Sequence, residues 1–173
     1  MPRTELGPPP VDRLFASWRY AYVTGSRDST ECVFCAAQRA DEAASLIVYD
    51  GPLAFVILNL FPYNSGHLLV VPRRHVADLT ALTRDELIEM AVLTQSAAQV
   101  LTEEYHPQGI NVGMNLGKPA GAGVADHLHT HLVPRWTGDT NFMTVVGDVR
   151  VLPEDVVQTA ARLRPAFGRL RAG

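Results

Sequence analysis

The chain has little charge imbalance, almost no cysteine and no long apolar run. Lys and Arg number 15 against 18 Asp and Glu, a formal net charge of −3. No global basic field therefore draws in nucleic acid or anionic lipid, and any recognition of a phosphate-bearing ligand must come from a local site. Two cysteines are too few for the disulfide framework of a secreted protein. The apolar runs stop at strand length, far below the roughly 20 residues of a membrane helix. The opening MPRTELGPPP has neither the apolar core nor the cleavage-site pattern of a signal peptide. These absences predict a soluble, cytoplasmic chain. The remaining composition, 47% hydrophobic and 19% charged over 173 residues, suits one ordinary domain. Residues 1–13 read as a flexible Pro-rich segment and 14–173 as the domain.

Secondary structure follows from periodicity and punctuation. LFASWRYAYVTG (14–25) is aromatic, and Trp18 and Tyr20 are expected to pack on the body of the protein. SRDSTECVFC (26–35) has turn composition, and AAQRADEAA (36–44) reads as a short helix or loop. LIVYD (46–50) and LAFVILN (53–59) read as strands parted by Gly51-Pro52, and HLLVVP (67–72) as the next. Thr83 and Glu86 form a capping-box pattern that starts a long helix fading near Tyr105. Leu87, Ala91, Ala98 and Leu101, with Ile88 and Val92 beside them, mark its apolar spacing. INVGMN (110–115) and HLHTHLVP (127–134) read as strands, GDTNF (138–142) as a turn, and Pro153 to about Arg164 as a helix interrupted by Pro165. Strands, one long helix and strands again predict an α+β fold: a mostly antiparallel sheet with one long helix and a C-terminal helix.

Three of the six histidines fall within five residues, His127, His129 and His131. On a strand they share one face while Leu128, Thr130 and Leu132 point to the core. Burying three imidazoles is costly unless each finds a partner. A solvated polar face is the plain alternative. The chemical readings are metal binding through imidazole and nucleophilic catalysis by one histidine whose tautomer its neighbours set. GKPAGAGV (117–124) leads into the histidines, and such a run of small residues lets backbone N–H groups approach an anion closely. A nucleophilic imidazole beside a phosphate cradle points to phosphoryl or nucleotidyl transfer. Cys32 and Cys35, spaced C-x-x-C, are half a zinc site, a redox pair or two ordinary buried thiols. A closed zinc site needs four ligands, and only histidine could supply the other two in the commonest site types.

HLHTHLV resembles the signature of the histidine triad (HIT) superfamily, three histidines alternating with apolar residues, with Thr130 as a departure. NLFPYNSGHLLVVPRRHV (59–76) resembles the family's strand-turn-strand. The segment 110–142 is most similar to a bacterial branch related to diadenosine tetraphosphate phosphorylases and hydrolases. The resemblance implies a HIT-like domain, a homodimer that joins two sheets, and nucleotidyl chemistry at the α-phosphate of adenine nucleotides. It implies His129 as nucleophile, His131 as its hydrogen-bonding neighbour, His127 as the third member and Asn115 at the α-phosphate or leaving group. Asn59 would lie at the ribose end and His67 would support the site. The backbone of Gly121, Ala122, Gly123 and Val124 would bind phosphate oxygens. Family members often carry a side-chain hydroxyl or amide four residues before the triad, where this chain has Gly123; that bears on water against phosphate as acceptor. For the cysteines the resemblance implies structural zinc on Cys32, Cys35, His75 and His127. A magnesium ion would ride on the polyphosphate substrate.

The rivals are a phosphoramidase cleaving P–N bonds with the same His129 chemistry, a nucleotide-binding regulator without turnover, and a zinc-stabilised interaction module. His106 is expected at a helix end and Arg73 and Arg74 at a solvated strand end. Trp136 is expected to pack on the core or a partner, and Asp126 to be solvent-exposed or to orient a histidine.

Overall fold

The computed structural model describes residues 31–41, 45–139 and 154–171. The expectations for residues 1–13, for 14–25 with Trp18 and Tyr20, for residues 140–142 and for the helix start at Pro153 lie outside the described residues. The order is α1 (Val33–Ala37), β1 (Ile47–Asp50), β2 (Ala54–Leu58), β3 (Leu68–Pro72), α2 (Arg84–Tyr105), β4 (Gly109–Met114), β5 (Thr130–Arg135) and α3 (Val156–Arg171). The strands form one sheet in the order β1-β2-β3-β5-β4, and every neighbouring pair is antiparallel.

AFVIL and LLVVP are continuous apolar runs because both faces of the sheet are covered there. Val56, Leu58, Leu68 and Val70 join the larger core with Met90, Leu93, Ala97 and Leu101 of α2 and Leu163 and Phe167 of α3. Phe55, Ile57, Leu69 and Val71 face the other way, against Phe34 of α1. The helices α2 and α3 thus hold one face, and the opposite face carries α1 and the histidines.

The capping box at the start of α2 is present. Thr83 Oγ1 accepts from the Glu86 N–H at 3.2 Å, and Glu86 Oε2 accepts from the Thr83 N–H at 2.8 Å. Such a cap stabilises by about 1 kcal/mol. The buried face of the helix meets the expected one at Leu101, which is buried, and at Ala98, which packs against the core, and departs from it elsewhere. Leu87, Ile88 and Val92 are exposed, and Met90, Leu93, Ala97, Val100 and Leu101 are buried. Buried Glu86, bonded to Arg74, lies on the same face as Met90, Leu93 and Ala97.

Two further expectations are corrected. The α3 helix runs through Pro165 to Arg171. An interior proline costs about 3 kcal/mol, which the burial of Leu163, Ala166 and Phe167 on both sides of it offsets. The ladder of β5 begins at Thr130, not at His127. Upstream, the Leu128 N–H donates to the Val76 carbonyl at 2.7 Å, and the Pro72 carbonyl faces the His127 imidazole in place of a backbone N–H.

Candidate functional site

The alternation of side chains survives upstream of the ladder. Leu128 and Leu132 enter the larger core. Thr130, opposite Met114 and Val70, is buried on the same side. The three histidines take the other side, but their rings have different surroundings.

His129 is 5% exposed, and its Nδ1 lies 2.9 Å from the His127 carbonyl oxygen. A carbonyl only accepts, so Nδ1 carries the proton and Nε2 keeps its lone pair. Burial pushes the His129 pKa below the ordinary imidazole value, which favours that neutral, nucleophilic form. His131 is set by a chain of bonds. The Tyr63 N–H donates to His67 Nδ1 at 3.1 Å, so the neutral His67 bears its proton on Nε2. That Nε2 lies 2.9 Å from His131 Nδ1, which accepts and leaves the His131 proton on Nε2. His67 is fully buried, and Asn59 Nδ2 also reaches its Nδ1, at 3.3 Å. The His129 and His131 rings are 4.9 Å apart. One imidazole thus offers a lone pair beside another that offers a proton.

His129 and His131 line a cavity of about 220 Å³ together with Asn59, Gly121, Gly123 and Val124. Its remaining wall is apolar, with Val33, Phe34 and Ala37 from α1, Ile57 and Leu69 from the sheet, and Leu60 and Phe61. The volume is below the roughly 300–1,000 Å³ of a drug-sized site. Gly121, at φ +94°, closes the turn Lys118–Ala120, a backbone region that favours glycine. Its carbonyl accepts from Asn115 Nδ2 at 3.4 Å.

His127 lines neither this cavity nor its neighbour. Its Nε2 lies 2.8 Å from the Pro72 carbonyl, which places the proton there and leaves the Nδ1 lone pair toward the cysteines. Nδ1 is 3.3 Å from Cys32 Sγ and 3.7 Å from Cys35 Sγ, and Cys35 Sγ is 3.4 Å from His75 Nδ1. One ligand atom from each of the four residues lies within 4.8 Å of the others. Tetrahedral zinc with ordinary bond lengths spaces sulfur and nitrogen donors about 3.5–3.8 Å apart, so the set fits zinc. Burial pushes the Cys35 thiol up; a coordinated zinc reverses that, because it binds the thiolate. The C-x-x-C stretch is helical where turn composition was read: Cys32 is the N-cap of α1. Phe34, between the cysteines, touches both His127 and His129, with ring centroids 5.4 and 5.1 Å apart.

Other expected residues are dispersed. Asn115 lines a second cavity on the far side of His131, and Ala122 lines neither. Arg73 pairs with Asp50 and donates to the Gly51 carbonyl, and Arg74 donates to Glu86, so both are engaged in structural contacts. His106 caps α2 in the left-handed conformation, at φ +46°. Trp136 is half-buried and Asp126 exposed. Phe34 and Tyr63 were missed by sequence reasoning, and their only signals were an aromatic between two candidate ligands and another in the FPYNSG turn.

The HIT domain family matches residues 40–138. The chain is 38% identical over 167 residues to the AP-4-A phosphorylase of Mycobacterium tuberculosis, covering 92% of this chain and 86% of that protein. A zinc-bound histidine triad family protein from Mycobacterium smegmatis has a similar structure, with a TM-score of 0.66 and 32% identity over 82% of this chain and 96% of that one. A hypothetical histidine triad nucleotide-binding protein from Sulfolobus tokodaii aligns with a TM-score of 0.65 and 25% identity, over 81% and 94% of the two chains.

Proposed function

This chain belongs to the HIT family, and on that premise we propose that it is a nucleotidyl transferase acting on dinucleoside polyphosphates such as diadenosine tetraphosphate. The observation that carries the reading is the tautomer of His129. Its Nδ1–H is held by the His127 carbonyl, and its unprotonated Nε2 belongs to a ring lining the cavity.

In the first step His129 Nε2 attacks the α-phosphorus. A P–N bond forms, the P–O bond to the rest of the polyphosphate breaks, and ATP leaves from the tetraphosphate. Asn115 and the proton on His131 Nε2 stabilise the charge on the leaving oxygen, with His67 holding His131 in register. The backbone of Gly121, Ala122, Gly123 and Val124 receives the phosphate oxygens, and Asn59 takes the ribose. In the second step an oxygen of inorganic phosphate attacks the same phosphorus, the P–N bond breaks and ADP departs. Two displacements replace one difficult one. Phosphate as acceptor is supported by the 38% identity to a protein named as a phosphorylase. Magnesium, where needed, accompanies the polyphosphate.

Cys32, Cys35, His75 and His127 hold zinc in this reading. Its role is to tie α1 to the segment before β5, not to take part in the chemistry. The protein is a homodimer. Ile88 and Val92, one turn apart on α2, and Val112 on edge strand β4 are each about half exposed, apolar surface that a second copy covers. Among the described residues no helix is long and apolar enough to cross a membrane.

The direct test is to incubate the purified protein with diadenosine tetraphosphate, with and without inorganic phosphate, and identify the products. ADP and ATP only with phosphate supports this reading. AMP and ATP regardless of phosphate makes the protein a hydrolase. No turnover moves the substrate to another leaving group, such as the nitrogen of a phosphoramidate.

A further inference from the structure

Beside the cavity at His129 lies a second one of about 310 Å³, on the opposite side of His131. His131 and Tyr63 line both cavities and form the wall between them. Their rings are near-parallel, inclined 18° with centroids 6.1 Å apart. The floor comes from β4. In antiparallel register Asn111 faces Val133 and Gly113 faces His131, so alternate residues of GINVGMN lie on the histidine face: Gly109, Asn111, Gly113 and then Asn115. All are small, and the strand presents a trough there. Ile110 and Met114, on the opposite face, pack against the larger core.

The geometry points to this trough as the seat of the second nucleoside of a dinucleotide substrate, the part that departs from the α-phosphate. The inference rests on the function proposed above and names the leaving-group side of that site. The lining chemistry decides between a nucleoside and a bare phosphate tail. Arg135 is the cation in the cavity, and Asp139 already engages its Nε and Nη2, while its Nη1 donates to Asn111 Oδ1 at 3.1 Å. The pair is neutral, so a terminal polyphosphate finds no uncompensated positive charge. A base and ribose find carboxamides at Asn111 and Asn115, the ring of Tyr63 and apolar contact from Val133. With the first nucleoside in the cavity at His129, a polyphosphate spanning both cavities must pass the histidine wall, where its α-phosphate meets His129. A partner strand paired at the edge of β4 leaves this face of the sheet open.

Gly113 allows a clean test, because a Cβ built there meets nothing within 4 Å. In a His129→Ala background, which leaves nucleotides intact, calorimetric titration compares diadenosine tetraphosphate with ATP, which has a polyphosphate and no second nucleoside. Adding Gly113→Leu should weaken diadenosine tetraphosphate about tenfold or more and leave ATP within about twofold. An unchanged affinity for diadenosine tetraphosphate, or equal weakening of both ligands, overturns the assignment. If ATP binds without that selectivity, only the assignment fails. If neither nucleotide binds the His129→Ala protein, the proposed function falls and the assignment falls with it.

Discussion

The Phe34 ring lies 5.1 Å from the His129 ring, tilted 52° to it. Phe34 sits on the one turn of helix that also presents Cys32 and Cys35. The candidate metal ligands and the wall of the cavity beside His129 are therefore parts of the same small element. Five residues of helix do not hold themselves together in water, so α1 depends on its anchors.

Metal removal should thus act on binding before chemistry. With zinc chelated, α1 loses two anchors and Phe34 its position. We expect affinity for AMP to fall about tenfold and the melting temperature to drop. Calorimetry and thermal denaturation of chelated and reloaded protein check both, and Phe34→Ala should reproduce the affinity loss with the metal still bound. An unchanged AMP affinity after complete metal loss would contradict the coupling.

His67 lines neither cavity and reaches the proposed substrate path through His131 at 2.9 Å, Asn59 at 3.3 Å and the Tyr63 N–H at 3.1 Å. His67→Asn should lower kcat on the order of 10²-fold with KM little changed. A rise in KM alone would place His67 in substrate binding instead.

The acid limb of the rate profile should lie below the ordinary imidazole value. His129 has its pKa lowered by burial, so its neutral, nucleophilic form persists as pH falls through 6.5 and is lost only below that. Plotted against pH, kcat/KM should still be near its plateau at about pH 6.5, where an unperturbed imidazole is half protonated. Half-loss at or above that pH would contradict the assignment of His129 as a buried neutral nucleophile.

Stability in acid should be governed in part by Glu86. The Arg74 guanidinium first, and the Thr83 N–H second, hold its carboxyl down to about 2. A carboxyl lowered on folding stabilises the protein above its unfolded value near 4.5, and that contribution is lost as pH falls toward 2. Arg74 is half exposed, so solvent screening keeps the pair's contribution small. Glu86→Gln should lower the melting temperature at pH 7 and flatten its decline between pH 5 and 2. Equal slopes for variant and wild type would remove Glu86 from the account.

The sheet and the long helix were legible because their signals are local. Strand runs bounded by Pro and Gly, and the Thr83–Glu86 box, need no knowledge of the rest of the chain. The side of α2 that is buried was not legible at its start, since Leu87, Ile88 and Val92 look as apolar as the buried Met90 and Leu93. Pro165 misled for a related reason: its penalty is local, while the burial of Phe167 that outweighs it is tertiary. At the site, H-x-H-x-H and C-x-x-C marked the chemistry, and the family resemblance linked His75 and His127 to the cysteines. The divergent surroundings of the three rings were out of reach, because they depend on carbonyls at Pro72 and His127 and on His67, brought in by chain pairing.

The most direct measurement of the central claim is the mass of the protein during its first turnover of diadenosine tetraphosphate without phosphate, quenched in alkali to preserve a P–N bond. The account predicts one adenylyl group on the peptide carrying His129, released as ADP when phosphate is added and absent from His129→Ala. Steady ATP release by a His129→Ala protein, or by a wild type never bearing the adduct on any time scale of turnover, would contradict it.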